Sequence, residues 1–454
     1  MSDFLFDVFP QIPEKQWKQK IQFDLKGKDY NQTLLTHTAD GINIKPIYHK
    51  DTYQQIPSFS KNSTFNICQS IFISDEKKAN YIANITLKKG ANSILFIASK
   101  PFDIKLVLNK IPTDTELQFE LQFLSENFIK DLINQLKNYT AFLNIDSIGQ
   151  LGKTGNWFES HQKDFECFNH LSEIQSKVTL TCINTKHYQN AGATIVQQVA
   201  YALSHGFEYL NLIANHNSTI KSFPINASFA VGSNYFLEIA KIRAFRYLWN
   251  LITQDFKLKS NLHITVTPSK RNKTLYDYNT NMLRTTSESM SAILGGADTV
   301  CNLAYDTIYH KKNNFGERIS RNQLLILKEE SYFNEAHKFA DGSYYIESLT
   351  TEISEKALVI FKDIEQNGGL LKQLHDGTIQ RKIEESASSE QQLFDSGKLV
   401  LLGTNKHPNN DDRMKDEIEL FPFTKINPIR TLIQPILAKR LAEKTEQERL
   451  KNET

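Results

Sequence analysis

The chain has 454 residues, 40% of them hydrophobic and 11% aromatic, which is enough apolar material for a large buried core. Basic and acidic side chains nearly balance, leaving a formal charge of +2, and this excludes a dedicated nucleic-acid footprint, which needs clustered positive charge. Cys68, Cys167, Cys182 and Cys301 are far apart and form no C-x-x-C pair, so they read as reduced thiols of a cytoplasmic protein, with neither a disulfide framework nor a zinc site.

The opening "MSDFLFDVFPQIPEK" carries acids where a secretory leader carries bases. Apolar runs such as "SILFIA" are too short to cross a bilayer, and no membrane partner is expected. Residues 1–55 read as an extended arm with one short helix in "EKQWKQKIQFDLKGKDYNQTLL" and a turn-rich "DGINIKPIYHKD". Such a segment has no core of its own and must pack on a larger body, in this chain or in a partner.

From residue 56 to 316 strand-like and helix-like patterns alternate. "SILFIAS" and "ELQFELQFL" are strand-like, the second with apolar residues at every second position. "SENFIKDLINQLKN" has helical spacing, and "AFLNIDSI" and "KVTLTCIN" follow as strands. "ATIVQQVAYALSHG" predicts a helix ending at Gly206, followed by a strand in "FEYLNLIAN". "SNYFLEIAKIRAFRYLWNLITQDF" is apolar nearly all round and predicts a buried helix. Strand "LHITVTPS", helix "YNTNMLRTTSESMSAILGG" and the short strand "ADTVCNLAYD" complete the series. Alternation over this length implies parallel β-α-β units, and their number favours an α/β fold of the TIM type, a β/α barrel with function on the loops after its strands. Residues 317–410 predict a helical extension that includes a strand and turn in "KLVLLGTNKHPN", and residues 411–454 a tail ending in a frayed helix.

His187, in "INTKHYQNAGA", stands where a barrel enzyme places a catalytic side chain. By residue type alone, a polar loop histidine is the commoner occupant of such a position. Gly192 serves either a close backbone approach or a tight turn. Glu329 and Glu330 read as a solvated helix face. H-E-x-x-H, G-x-S-x-G and G-x-x-x-x-G-K-[ST] are all absent, and "GQLGKTG" at 149–155 has the wrong spacing for the last.

Several stretches together resemble the methylmalonyl-CoA mutase family. "KGKDYNQTLLTHTADGINIKPIY", "INTKHYQNAGAT", "SNYFLEIAKIRAFRYLW", "MLRTTSESMSAILGGADTV", "RISRNQLLILKEES" and "DGSYYIESLTTEISEKALVIFKDIEQNGG" follow one another in family order. The resemblance implies radical isomerisation of methylmalonyl-CoA and succinyl-CoA on adenosylcobalamin, with substrate threaded through the barrel and the cofactor held by a separate C-terminal domain. It makes His187 the histidine that bonds the substrate thioester, Gln189 a substrate-side neighbour and Glu330 a glutamate near the cofactor face. It assigns no metal ligand, because none of the 12 histidines has an aspartate two residues earlier, as the cobalt-binding Asp-x-His-x-x-Gly motif requires.

The departures are concentrated in the pocket. Lys186 stands where the family has a tyrosine, Asn190 where it has a glutamate, and the arginine-bearing segments have no counterpart. Some members pair a catalytic large chain with a similar inactive small chain, and these losses match the latter, with His187 as a remnant. The expected partner is then the large catalytic subunit, which binds adenosylcobalamin, while this chain has no cobalamin-binding domain and needs no cofactor of its own. The alternative is a substrate-binding chain of a split acyl-CoA mutase that borrows cobalamin from a separate subunit.

Overall fold

Eight parallel strands alternate with helices and close into a barrel. They are β1 (Asn66–Phe72), β2 (Ser93–Ala98), β3 (Glu116–Leu121), β4 (Thr140–Ile145), β5 (Thr179–Asn184), β6 (Ser222–Val231), β7 (Lys259–Pro268) and β8 (Thr299–Cys301). Closure runs through β8, whose Thr299, Val300 and Cys301 lie beside Asn66, Ile67 and Cys68 of β1, and whose other edge pairs with β7. The computed structural model describes residues 9–57, 64–174, 176–216, 221–335, 338–426 and 428–453, so the first eight residues of the expected arm lie outside it.

The strand period of two divides each strand between the helices and the barrel axis. In β3, Leu117, Phe119 and Leu121 join the apolar layer under the surrounding helices. Glu116 and Gln118 point inward instead. One Glu116 oxygen accepts from Ser93 Oγ at 2.9 Å, Gln118 Nε2 at 3.0 Å and Thr299 Oγ1 at 2.7 Å. The other accepts from Asn66 Nδ2 at 2.7 Å. Gln118 continues to Thr265, Thr265 to Asn226 and Asn226 to Asn144. Every strand but β5 contributes to this network. It fills the barrel axis with mutually satisfied polar groups, as burial demands.

Outside the strands, α1 (Ile195–His216) and α2 (Tyr235–Asp255) form part of the helical ring, and α3 (Tyr344–Gln366) packs across both as an outer layer. The arm's helix, Glu14–Asp24, buries none of its side chains. No helix among the described residues is long and apolar enough to cross a membrane.

Three expectations fail. "FEYLNLIAN" is helical, because Gly206 does not end α1 but lies in mid-helix, where the missing side chain makes room for Trp249 and Ile183. The stripe continues through Tyr209, Leu210 and Ile213. The strand that follows is "SFPINASFAV", whose proline and inward polar residues hide any alternation. "KLVLLGTNKHPN" forms no ladder strand, only an isolated bridge between Leu402 and Lys406. The tail is helical only over Glu443–Asn452, since Pro422, Pro428 and Pro435 interrupt helix formation before it. That last helix is docked, not frayed: Glu446 hydrogen-bonds the Leu275 N–H, and Glu453 those of Met414 and Lys415.

Alanine in place of glycine ordinarily stabilises a helix interior by about 1 kcal/mol. At position 206 a Cβ would stand 2.3 Å from the Trp249 ring. Gly206→Ala is therefore expected to destabilise the protein by about 2 kcal/mol, read as a fall in the urea midpoint.

Candidate functional site

The C-terminal ends of the strands open on a cavity of about 740 Å³. Asp146, just after β4, caps the helix α4 below the cavity (Ser147–Thr154, earlier in the chain than α1) through the Gly149 N–H at 2.8 Å. The same carboxylate accepts from the Asn184 N–H at 2.9 Å, the Tyr209 hydroxyl at 2.9 Å and His205 Nε2 at 2.8 Å. Burial works against its ionisation, but His205 and the backbone donors outweigh burial and hold Asp146 below the usual carboxylate range.

A short helix, α5 (Lys186–Ala191), leaves the end of β5 directly. It ends at Gly192, whose φ of +108° and contact with Ala387 both exclude a side chain, so the turn and the close approach each require glycine. His187 is 8% exposed and packs on the Tyr188 ring at 4.0 Å between centroids. A Cβ on Gly152 would come within 3.0 Å of His187 Nε2, so glycine at 152 is what admits the ring. Burial first, and His205 next, push the His187 pKa down to about 3. The ring bonds the backbone of Asn184, and Nε2 has no hydrogen-bond partner among the described residues. At neutral pH this imidazole is uncharged. The neutral ring offers one N–H donor and one acceptor nitrogen.

Lys186 reaches Glu120 at 3.2 Å across the cavity. The ammonium holds Glu120 below the usual carboxylate value, and Glu120 raises Lys186 in spite of burial. Asn190 ties the loops together: its amide donates to the Lys186 carbonyl at 2.7 Å and its oxygen accepts from the Lys270 N–H at 2.8 Å.

Residues 420–426 and 428–442 pass over the mouth as a strap without regular secondary structure. The Leu432, Ile436, Lys439 and Leu441 N–H groups donate to the carbonyls of Gly155, Gly152, Asn190 and Arg271. Arg271 in turn donates to Glu390 at 2.6 Å and to the Lys439 carbonyl at 2.8 Å. Arg440 is buried against Glu446 at 2.6 Å and bonds the carbonyls of Pro422 and Lys273.

The residues singled out in the sequence do not converge. His187 lines the cavity. Gln189 does not; its side chain accepts from Ser269 Oγ at 2.8 Å and pins α5 to the loop after β7. Glu330 is exposed on a π-helical turn at the other end of the barrel, where Lys328 stands over Phe65, just ahead of β1. Among the described residues no group of three His, Cys, Asp or Glu side chains is placed to hold a metal. Glu120, Asp146 and Lys270 escaped the sequence reading. Each lies at or just past the end of a strand, which is the signal that marks them once the strands are placed.

A family model described as methylmalonyl-CoA mutase matches residues 141–449. The methylmalonyl-CoA mutase small subunit of Porphyromonas gingivalis is 30% identical over 454 residues, covering 92% of this chain and 73% of that protein. The methylmalonyl-CoA mutase of Rhizobium meliloti is 36% identical over 262 residues, 56% of this chain and 37% of that one. The mitochondrial methylmalonyl-CoA mutase of Homo sapiens is 28% identical over 458 residues, 88% of this chain and 61% of that one. The chain thus spans less than two thirds of those two mutases.

The depressed His187 pKa carries a stability consequence. The unfolded chain protonates this ring below about pH 6.5 while the folded chain does not, so stability falls as the pH drops. Between about pH 7 and pH 5 the parent chain should lose about 2 kcal/mol more than His187→Gln, measured as the difference between their urea unfolding curves.

Proposed function

The chain belongs to the methylmalonyl-CoA mutase family, and from that premise we propose that it is the small, non-catalytic subunit of a heterodimeric mutase. In this reading it stabilises a large catalytic partner that carries out the adenosylcobalamin-dependent isomerisation of methylmalonyl-CoA and succinyl-CoA in the cytoplasm. The filled barrel axis supports the reading most directly. A substrate threaded along that axis would have to displace the Glu116 network, leaving buried donors on Ser93, Gln118 and Thr299 without acceptors.

Adenosylcobalamin does not fit the mouth as it stands. A cavity of about 740 Å³ encloses a drug-sized ligand, and a corrin with its nucleotide and adenosyl arms is far larger. The strap lies across the approach, and His187 turns Nε2 toward Gly152. We therefore assign the cofactor to the partner. The same strap weighs against a split mutase in which this chain borrows cobalamin from a separate subunit.

The arm, residues 1–55, is the proposed contact with the large subunit. Its helix leaves Trp17 and Phe23 exposed, the behaviour of a segment that finds its packing on another chain. Residues 56–316 are the degenerate barrel, 317–410 its helical extension and 411–454 the tail.

Recombinant chain alone, supplied with adenosylcobalamin and methylmalonyl-CoA, is expected to give no turnover. Coexpressed with the large subunit it should copurify and raise the Tm of that subunit, and His187→Ala should leave the activity of the complex unchanged. Turnover by the isolated chain would falsify the proposal.

A further inference from the structure

The strapped mouth has a charge pattern that the subunit role does not use. Eight cationic side chains line the cavity against three carboxylates, in a chain whose formal charge is only +2. Most of the imbalance comes from Lys153, Lys186 and Lys270, which share the carboxylate of Glu120, and from Lys312, which lies 3.9 Å from Glu317. The third cavity carboxylate, Glu443, is spent on Thr424 and the Arg440 N–H, and Asp146 on His205, Tyr209 and backbone donors. Lys186 engages Glu120, and Lys312 engages Ser70. The ammonium groups of Lys153 and Lys270 make neither a hydrogen bond nor an ion pair with any described residue, and both side chains line the cavity while remaining partly open to solvent. Burial, then Lys186, Lys153 and Lys312, hold the Lys270 pKa below the usual lysine value. Like charges gathered in one concave site repel one another unless an anion shares it.

The cations left free narrow the anion. The planar fork of arginine suits carboxylate and phosphate alike. Both guanidinium groups at the cavity are already committed, Arg271 to Glu390 and the Lys439 carbonyl, Arg440 to Glu446 and the Pro422 and Lys273 carbonyls. What remains is a set of ammonium point charges, which suit the several oxygens and higher charge of a phosphoryl group. Apolar walls from Leu95, Ile97, Phe158 and Phe421 surround them, and the cavity volume lies in the range that encloses small organic ligands.

We propose that the barrel mouth is a binding site for a small organic phosphate carrying two or more negative charges, held by Lys153, Lys186, Lys270 and Lys312 beneath the strap. The site is independent of the subunit reading. Isothermal titration of the full chain with inorganic pyrophosphate tests it, with succinate as the carboxylate arm. Saturable pyrophosphate binding is expected, at least tenfold tighter than succinate. Lys153→Met combined with Lys270→Met should weaken it at least tenfold. Because neither ammonium has a protein partner to orphan, that double variant should keep the parent circular dichroism and Tm. A charge-matched control on the arm, Lys15→Met with Lys28→Met, should bind as the parent does. The proposal is overturned by no saturable binding up to about 1 mM, by succinate binding as tightly as pyrophosphate, or by an equal loss in the control.

Discussion

The carboxylate of Glu116 organises this barrel. It draws side chains from β1, β2, β3 and β8 onto two oxygens, and through Gln118 the same network reaches β4, β6 and β7. A buried carboxylate is costly unless its lone pairs are met, and here four donors meet them. The result is a closed barrel whose axis is solid. Any chemistry must then take place at the ends of the strands, and the loops there are free to diverge while the barrel itself stays intact.

At those ends the side chains have settled into mutual contacts. Asp146 is consumed by capping α4 and holding His205 and Tyr209, Gln189 by Ser269, and Asn190 by the loops on either side. His187 is walled in by Tyr188 and the gap at Gly152. These are the contacts of a packed structure. Asp146, Gln189 and Asn190 are satisfied by neighbours, and burial holds His187 uncharged.

The barrel was legible because its strands and helices differ in period, and because most helices stop at clear signals such as Gly295–Gly296. Where the reading failed, a residue had a tertiary role that local pattern does not carry. Gly206 looked like a terminator, but its use is to let Trp249 approach. β6 was missed because its inward face carries Asn226 and Ser228 in place of apolar residues, and Pro224 interrupts the pattern. The candidate site was legible only in part. His187 could be placed at a strand end from sequence, whereas the lysine cluster joins residues from helices α4 and α5 and from the loops after β7 and β8, and no spacing along the chain reveals that convergence.

The strap has a further implication for how the molecule is assembled. Its backbone bonds join Leu432 to Gly155 and Ile436 to Gly152, pairs nearly three hundred positions apart, and it contributes no strand to the barrel. During synthesis the eight strands emerge before it does, so the barrel can shut while its upper rim still lies bare. The seal comes last, over a barrel already shut, so hydrogen exchange can follow its release separately from the opening of the strands.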